Sequence, residues 1–172
     1  MTRSHKKPRS KAQMASAYRE AGHAVAALDA GIMLMPVSIF ANGPGAGRNV
    51  WNQALRNVDF EWVQGADSRS LVERLATVVM AGPVAQRAFA SGEPQGAVCK
   101  KRVGEVKRLL KAIPGAGYAE AFERIENQLR RFFARRDVGH TVDALSRSLL
   151  LQGTLPGDDV VTIIERNLAP RR

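Results

Sequence analysis

The sequence predicts a mainly α-helical domain carrying one small β element. Apolar residues recur at three- and four-residue spacing through most of the chain. Aromatics make up only 6% of residues while alanine and leucine abound, a balance that suits packed helices better than a sandwich or barrel. Residues that favour strands concentrate in one short run, 36–40. At 172 residues and 45% hydrophobic content, the chain is long enough for one domain with a sizeable core.

Taken in order, Ser10 is placed to cap a first helix over 10–30, with Gly31 just past its end. Met14, Tyr18, Ala21, Val25 and Leu28 form its expected buried stripe. The β-prone run Pro36-Val37-Ser38-Ile39-Phe40 follows, then a glycine-rich turn over 43–47 and Asn49-Val50-Trp51, which together read as a small hairpin or edge strand. The glycine run lacks the lysine and the serine or threonine of a phosphate loop, so a turn suffices to explain it. Ser70 and Glu73 form a candidate capping box for a helix reaching Ala90, ended by Ser91-Gly92. A helix over 102–113 places Val103, Val106, Leu109, Leu110 and Ile113 on one face and stops at Pro114-Gly115. Two more helices are expected over 118–136 and 141–151. A last one begins near Pro156-Gly157 and uses Val160, Val161, Ile164 and Leu168. Residues 1–11 and 169–172 read as basic tails flanking a single domain over 12–168.

The net charge is +10, and half of it comes from Arg3, Lys6, Lys7, Arg9 and Lys11, which no acid accompanies in residues 1–11. The body carries further clusters at Lys100-Lys101-Arg102, Lys107-Arg108, Arg130-Arg131 and Arg135-Arg136. Such clusters attract nucleic acid, acidic proteins or anionic membranes, although a solvated surface with a disordered arm also accounts for them. The longest apolar stretch, 24–36, is broken by Asp29 and Gly31, so no membrane span is expected. Cys99 is the only cysteine, which rules out an internal disulfide and makes a reducing cytoplasm the expected compartment. His140 and His5 carry no expected role as ligands, and Trp51 and Trp62 are expected to pack in the core.

The most telling segment is Tyr18-Arg19-Glu20-Ala21-Gly22-His23. The zinc-protease helix motif H-E-x-x-H sets two histidines one turn apart on a single metal, with the glutamate as general base. Glu20 and His23 stand at the base and second-ligand positions, but Arg19 occupies the first-ligand position. A guanidinium stays protonated and offers a metal no lone pair.

With these residues in view, 11–168 resembles the peptidase domain of the FtsH-type AAA zinc proteases. The similar segments begin with Tyr18 to Leu28 and the Pro36-Val37-Ser38-Ile39 strand with its glycine-rich sequel. They continue through Leu75-Ala76-Thr77-Val78-Val79-Met80-Ala81-Gly82-Pro83-Val84-Ala85-Gln86, then Gly96-Ala97, and close with the run from Leu149 to Val160. The resemblance implies a mainly helical fold with a small β element along which the family lays substrate. The family's third zinc ligand is an aspartate opening the helix after the Gly-Ala segment. Matching the apolar positions puts it at Arg102, and an ungapped count from Gly96 puts it at Lys100; both are basic. The resemblance therefore makes Glu20 a vestigial general base and His23 a vestigial ligand, with Arg19 and Arg102 at replaced positions.

Three functional readings follow. In the first, the chain is a pseudopeptidase that binds a protein partner, with Arg19 and Arg102 filling the metal's place, paired with Glu20 and with Glu105 as a possible ion-pair partner. No cofactor is expected in that case, and self-association is possible. In the second, an active zinc metallopeptidase uses rearranged ligands, His23, Cys99 and Glu105, with Glu20 as base. In the third, the basic tail and patches bind nucleic acid, although aromatics for stacking are few and no helix-turn-helix or zinc-finger pattern is present.

Overall fold

A computed structural model describes residues 10–32, 36–39, 66–90, 100–111 and 117–168. Helix α1 spans Lys11–Asp29. Ser10 caps it: its Oγ accepts from the Gln13 backbone N–H at 3.2 Å, while Gln13 Oε1 accepts from the Ser10 N–H at 3.0 Å. This reciprocal box satisfies two of the donors that a helix start leaves without intrahelical partners. Gly31, at φ 70°, turns the chain out of the helix in the left-handed region that glycine adopts without strain.

The expected stripe understates the burial of α1. Ala21 and Val25 are buried, but Tyr18 and Leu28 are only partly covered and Met14 is exposed. From Glu20 to Ala27 every residue is buried, so the helix is enclosed rather than one-sided. It is covered by α2 (Ala66–Phe89) and by α5 (Arg136–Gln152). Its run of alanines and Gly22 allows neighbouring backbones to come close enough to enclose it.

β1 (Val37–Ser38) pairs antiparallel with β2 (Thr154–Leu155), matching Val37 to Leu155 and Ser38 to Thr154. The Thr154 hydroxyl donates to Ser38 Oγ at 2.9 Å, and the Ile39 N–H donates to the Gly153 carbonyl at 3.0 Å. The described partner of β1 is thus the segment following α5. The glycine-rich turn and Asn49-Val50-Trp51, read as the other half of a hairpin, lie outside the described residues, as does Trp62.

Three helices begin earlier than expected, among them the one expected over 102–113, which begins at Lys100. α2 begins before Ser70, so Ser70 and Glu73 lie inside the helix and do not cap it; the Glu73 carboxylate instead accepts from Arg124 Nη2 at 2.9 Å. α5 begins at Arg136, not Thr141. Thr141 sits in its second turn, where its hydroxyl donates to the Asp137 carbonyl at 2.7 Å, and so gives no capping signal. The remaining helices are α3 (Lys100–Lys111), α4 (Tyr118–Ala134) and α6 (Gly157–Asn167). A single extended residue, Arg135, forms the corner between α4 and α5. Val106 and Leu110 of α3, Ile125 and Leu129 of α4, Leu145 and Leu149 of α5 and Ile164 of α6 fill the core, alongside Leu155. Tyr18, Phe89 and Phe133 form an aromatic ladder beside it, with successive centroids 6.0 and 6.1 Å apart. Among the described residues no helix is long and apolar enough to cross a membrane.

Candidate functional site

Glu20 and His23 lie three residues apart in α1, so helical geometry puts them on neighbouring positions of one face. Both are buried, at 7% and 2% exposure. A carboxylate and an imidazole in a helix enclosed by alanines need specific partners, because burying an unpaired polar group costs several kcal/mol, on the order of 2–7.

His23 finds its partner across the helix interface. Its Nδ1 is 2.7 Å from the carbonyl oxygen of Val78 in α2. A carbonyl only accepts, so Nδ1 carries the proton, and in the neutral ring Nε2 is the acceptor nitrogen. A second contact is steric. A Cβ built on Gly82 would lie 2.5 Å from both Cδ2 and Cε1 of His23 and closer still to Nε2. Both ring carbons would be scarcely farther away than Nε2, whereas along the in-plane lone pair they would lie well beyond it, so that position is over the face of the imidazole. Glycine at 82 therefore lets the α2 backbone lie flat against the ring. Pro83 follows within the same helix and has no N–H to donate. One turn along, Gly22 of α1 makes the reciprocal approach: a Cβ there would meet the Cβ of Ala85 and, at 3.0 Å, the Ala81 carbonyl oxygen. The two helices are thus held together by glycines at Gly22 and Gly82, one on each side.

Arg19 bends back over its own helix. Its Nε donates to Glu20 Oε1 at 3.2 Å and its Nη2 donates to Ser16 Oγ at 3.1 Å. Adjacent residues point about 100° apart on a helix, so only a long, forked side chain can reach both the previous turn and its immediate neighbour. The Arg19 side chain is 42% exposed and that of Glu20 only 9%, so the cation sits at the rim and the carboxylate inside. The expected Arg19–Glu20 pair is present. A fixed positive charge thus stands at the residue one turn before His23, against the carboxylate that a metallopeptidase would use as base.

Among the described residues no three His, Cys, Asp or Glu side chains gather as a metal would require. Arg19 has no lone pair to offer, which leaves His23 as the described donor from the motif. Arg102 and Glu105 both belong to α3, but their side chains lie outside the described residues, as do Cys99 and His5. His140 is exposed on α5.

Reading the sequence missed Val78, Gly82 and Ser16, which hold this face together. Gly82 left a signal: a glycine inside a long apolar helical run costs about 1 kcal/mol against alanine, and such a glycine usually has a packing reason. Away from this face, an open cavity of about 630 Å³ lies at the far end of α1, between Asp29, Glu73, Arg74, Gln128 and Phe132. The sequence matches no known protein-family model, and no curated protein matches it.

Proposed function

We propose that this chain is a pseudopeptidase: a peptidase-like helical domain whose metal-binding helix is disarmed and whose fold serves to bind a protein partner. The observation that carries the reading is the ion pair between Arg19 and the buried Glu20. A general base must be available to the water it activates, and a zinc ligand must offer a lone pair. In this chain the carboxylate at the base position accepts from a guanidinium, and the residue at the first-ligand position supplies that guanidinium. The charge that zinc would contribute is replaced by a permanent cation, which keeps the carboxylate compensated without a metal. The near-complete burial of Glu20 and His23 supports the same reading, since a hydrolase needs its base in reach of substrate.

One observation favours the metallopeptidase alternative. The tautomer of His23, with Nδ1–H on a carbonyl, is the one zinc-binding histidines adopt. The two readings separate in one assay. An unfolded polypeptide is incubated with the full chain and added zinc, and with the Glu20→Gln variant as control, and products are followed by mass spectrometry. The pseudopeptidase reading expects no cleavage above the control. Cleavage by the parent that Glu20→Gln abolishes would overturn it.

A further inference from the structure

Among the described residues of α3, Gly104 has no packing reason to be glycine. It lies in the interior of the helix and is exposed, and a Cβ placed on it would meet none of the described atoms within 4 Å. Glycine in an exposed helix interior is among the worst choices for helix stability. Gly22 and Gly82 are explained by close helix packing; Gly104 is not. Its surroundings along the helix are cationic. Lys100 and Lys101 stand four and three residues before it, Lys107 and Arg108 three and four after it, and Lys111 one turn further on. Of these, Lys107, Arg108 and Lys111 are exposed, and the three- and four-residue spacing makes Lys107 and Arg108 neighbours of Gly104 on the helix. Glu105 is the only acid in α3, and Glu120 and Glu123 stand in the first two turns of α4.

We propose that the Gly104 face of α3 is a docking surface for the phosphodiester backbone of nucleic acid, with the missing side chain forming a notch that lets phosphates approach the helix beside Lys107, Arg108 and Lys111. The notch and the charge pattern argue together. A plain solvated face gains nothing from a glycine, whereas a ligand backbone that must come close to the helix does. The apolar residues Val106 and Leu110 are buried, leaving Gly104, Lys107, Arg108 and Lys111 exposed. The described part of this face therefore has no apolar side chain to insert into a lipid surface. Protein interfaces are depleted in lysine and built on apolar or aromatic anchors, whereas lysine and arginine dominate contacts to nucleic-acid backbones. Tyr118 adds an aromatic at the edge: Lys107 Nζ lies 5.3 Å from its ring centroid, and the ring is only partly buried. Such a ring can stack on a base beside the bound backbone. This surface stands apart from the Arg19–Glu20 pair and does not depend on the pseudopeptidase reading.

The test measures fluorescence anisotropy of labelled oligothymidylate and of a mixed-sequence duplex, titrated with the full chain across a salt series. Binding is expected at low salt and should weaken as salt rises. Replacing Lys107 and Lys111 together by glutamine should flatten the slope of log K against log salt on the single strand by about 1.4, at roughly 0.7 for each phosphate left without its cation. Gly104→Gln should melt at or above the parent temperature yet bind several-fold more weakly, a combination that loss of structure cannot produce. Glutamine at Lys6, Lys7 and Arg9 should leave the effect of Gly104→Gln intact, separating α3 from the basic arm. Absence of binding at low salt, or parental affinity in Gly104→Gln, would overturn the proposal. Equal competition by polyglutamate at matched charge would also overturn it and assign the face to an acidic protein.

Discussion

Replacing Gly82 by alanine adds one methyl group at the tightest point of the α1–α2 interface. The new Cβ would stand 2.5 Å from two carbons of the His23 ring and nearer to Nε2, where ordinary contacts begin above 3.4 Å. The ring has little freedom to retreat, because it is 2% exposed and its Nδ1 is fixed on the Val78 carbonyl. Either the helices separate or the hydrogen bond breaks. Overpacking costs about 1–3 kcal/mol, and a weakened buried hydrogen bond adds about 1 kcal/mol. The better helix propensity of alanine returns about 1 kcal/mol. The net expectation is a loss of about 2 kcal/mol, or a drop in Tm of roughly 4–8 °C for a domain of this size. Thermal and urea unfolding of the parent, Gly82→Ala and Gly104→Ala measure this directly. Gly104→Ala meets none of the described atoms and should stabilise by up to about 1 kcal/mol, so the same substitution should change sign between the two helices. In a His23→Ala background the penalty at Gly82 should shrink, giving a coupling of at least about 1 kcal/mol. A Gly82→Ala protein as stable as the parent, or an additive double mutant, would refute the packing argument.

Glu20→Gln keeps the shape but removes the charge facing Arg19, and should cost about 1–3 kcal/mol in chemical unfolding; an unchanged stability would mean the pair contributes nothing. Ser146 is buried in α5 and its hydroxyl has no hydrogen-bond partner among the described residues, so Ser146→Ala should be neutral or stabilising by up to about 2 kcal/mol, and a clear loss would contradict the packing assigned to it. Burial pushes the Glu126 carboxyl up, but hydrogen bonds and charge from Arg130 and Arg87 outweigh it and hold it below its usual range; the hydrogen bond from Arg135 does the same for Asp137. Groups lowered in the folded state lend stability that is fully present above the unfolded carboxylate range and is lost as pH falls through their folded values, so urea midpoints should decline below about pH 4. Burial, and then the hydrogen bond to Asp143, raises Tyr18, so its contribution is lost at the other end, as pH climbs past about 10. Midpoints flat across either window would count against these pairs.

Much of the helical architecture was legible because helix stops and starts are written in local chemistry. Ser10, Gly31 and the Pro156-Gly157 turn all act where the sequence places them. The burial of α1 was less legible. Periodicity registers a one-sided stripe, whereas an alanine-rich helix clasped by α2 and α5 is buried on all sides. The pairing of β1 with β2 was out of reach, because two-residue strands more than a hundred positions apart leave no local pattern. At the candidate site, Arg19, Glu20 and His23 stood out through a motif with one wrong residue. Their partners Ser16, Val78 and Gly82 did not, because they act through hydroxyl, backbone carbonyl and missing side chain, none of which carries a motif.

The claim that the metal site is disarmed is tested most directly by zinc content. The parent chain and the Arg19→His, Arg102→Asp variant are purified without added metal or chelator and analysed side by side by elemental mass spectrometry. Substoichiometric zinc is expected in the parent and about one zinc per chain in the variant, which supplies a histidine and an aspartate at the two proposed ligand positions. About one zinc per parent chain would contradict it, since a guanidinium at position 19 would then not have emptied the site.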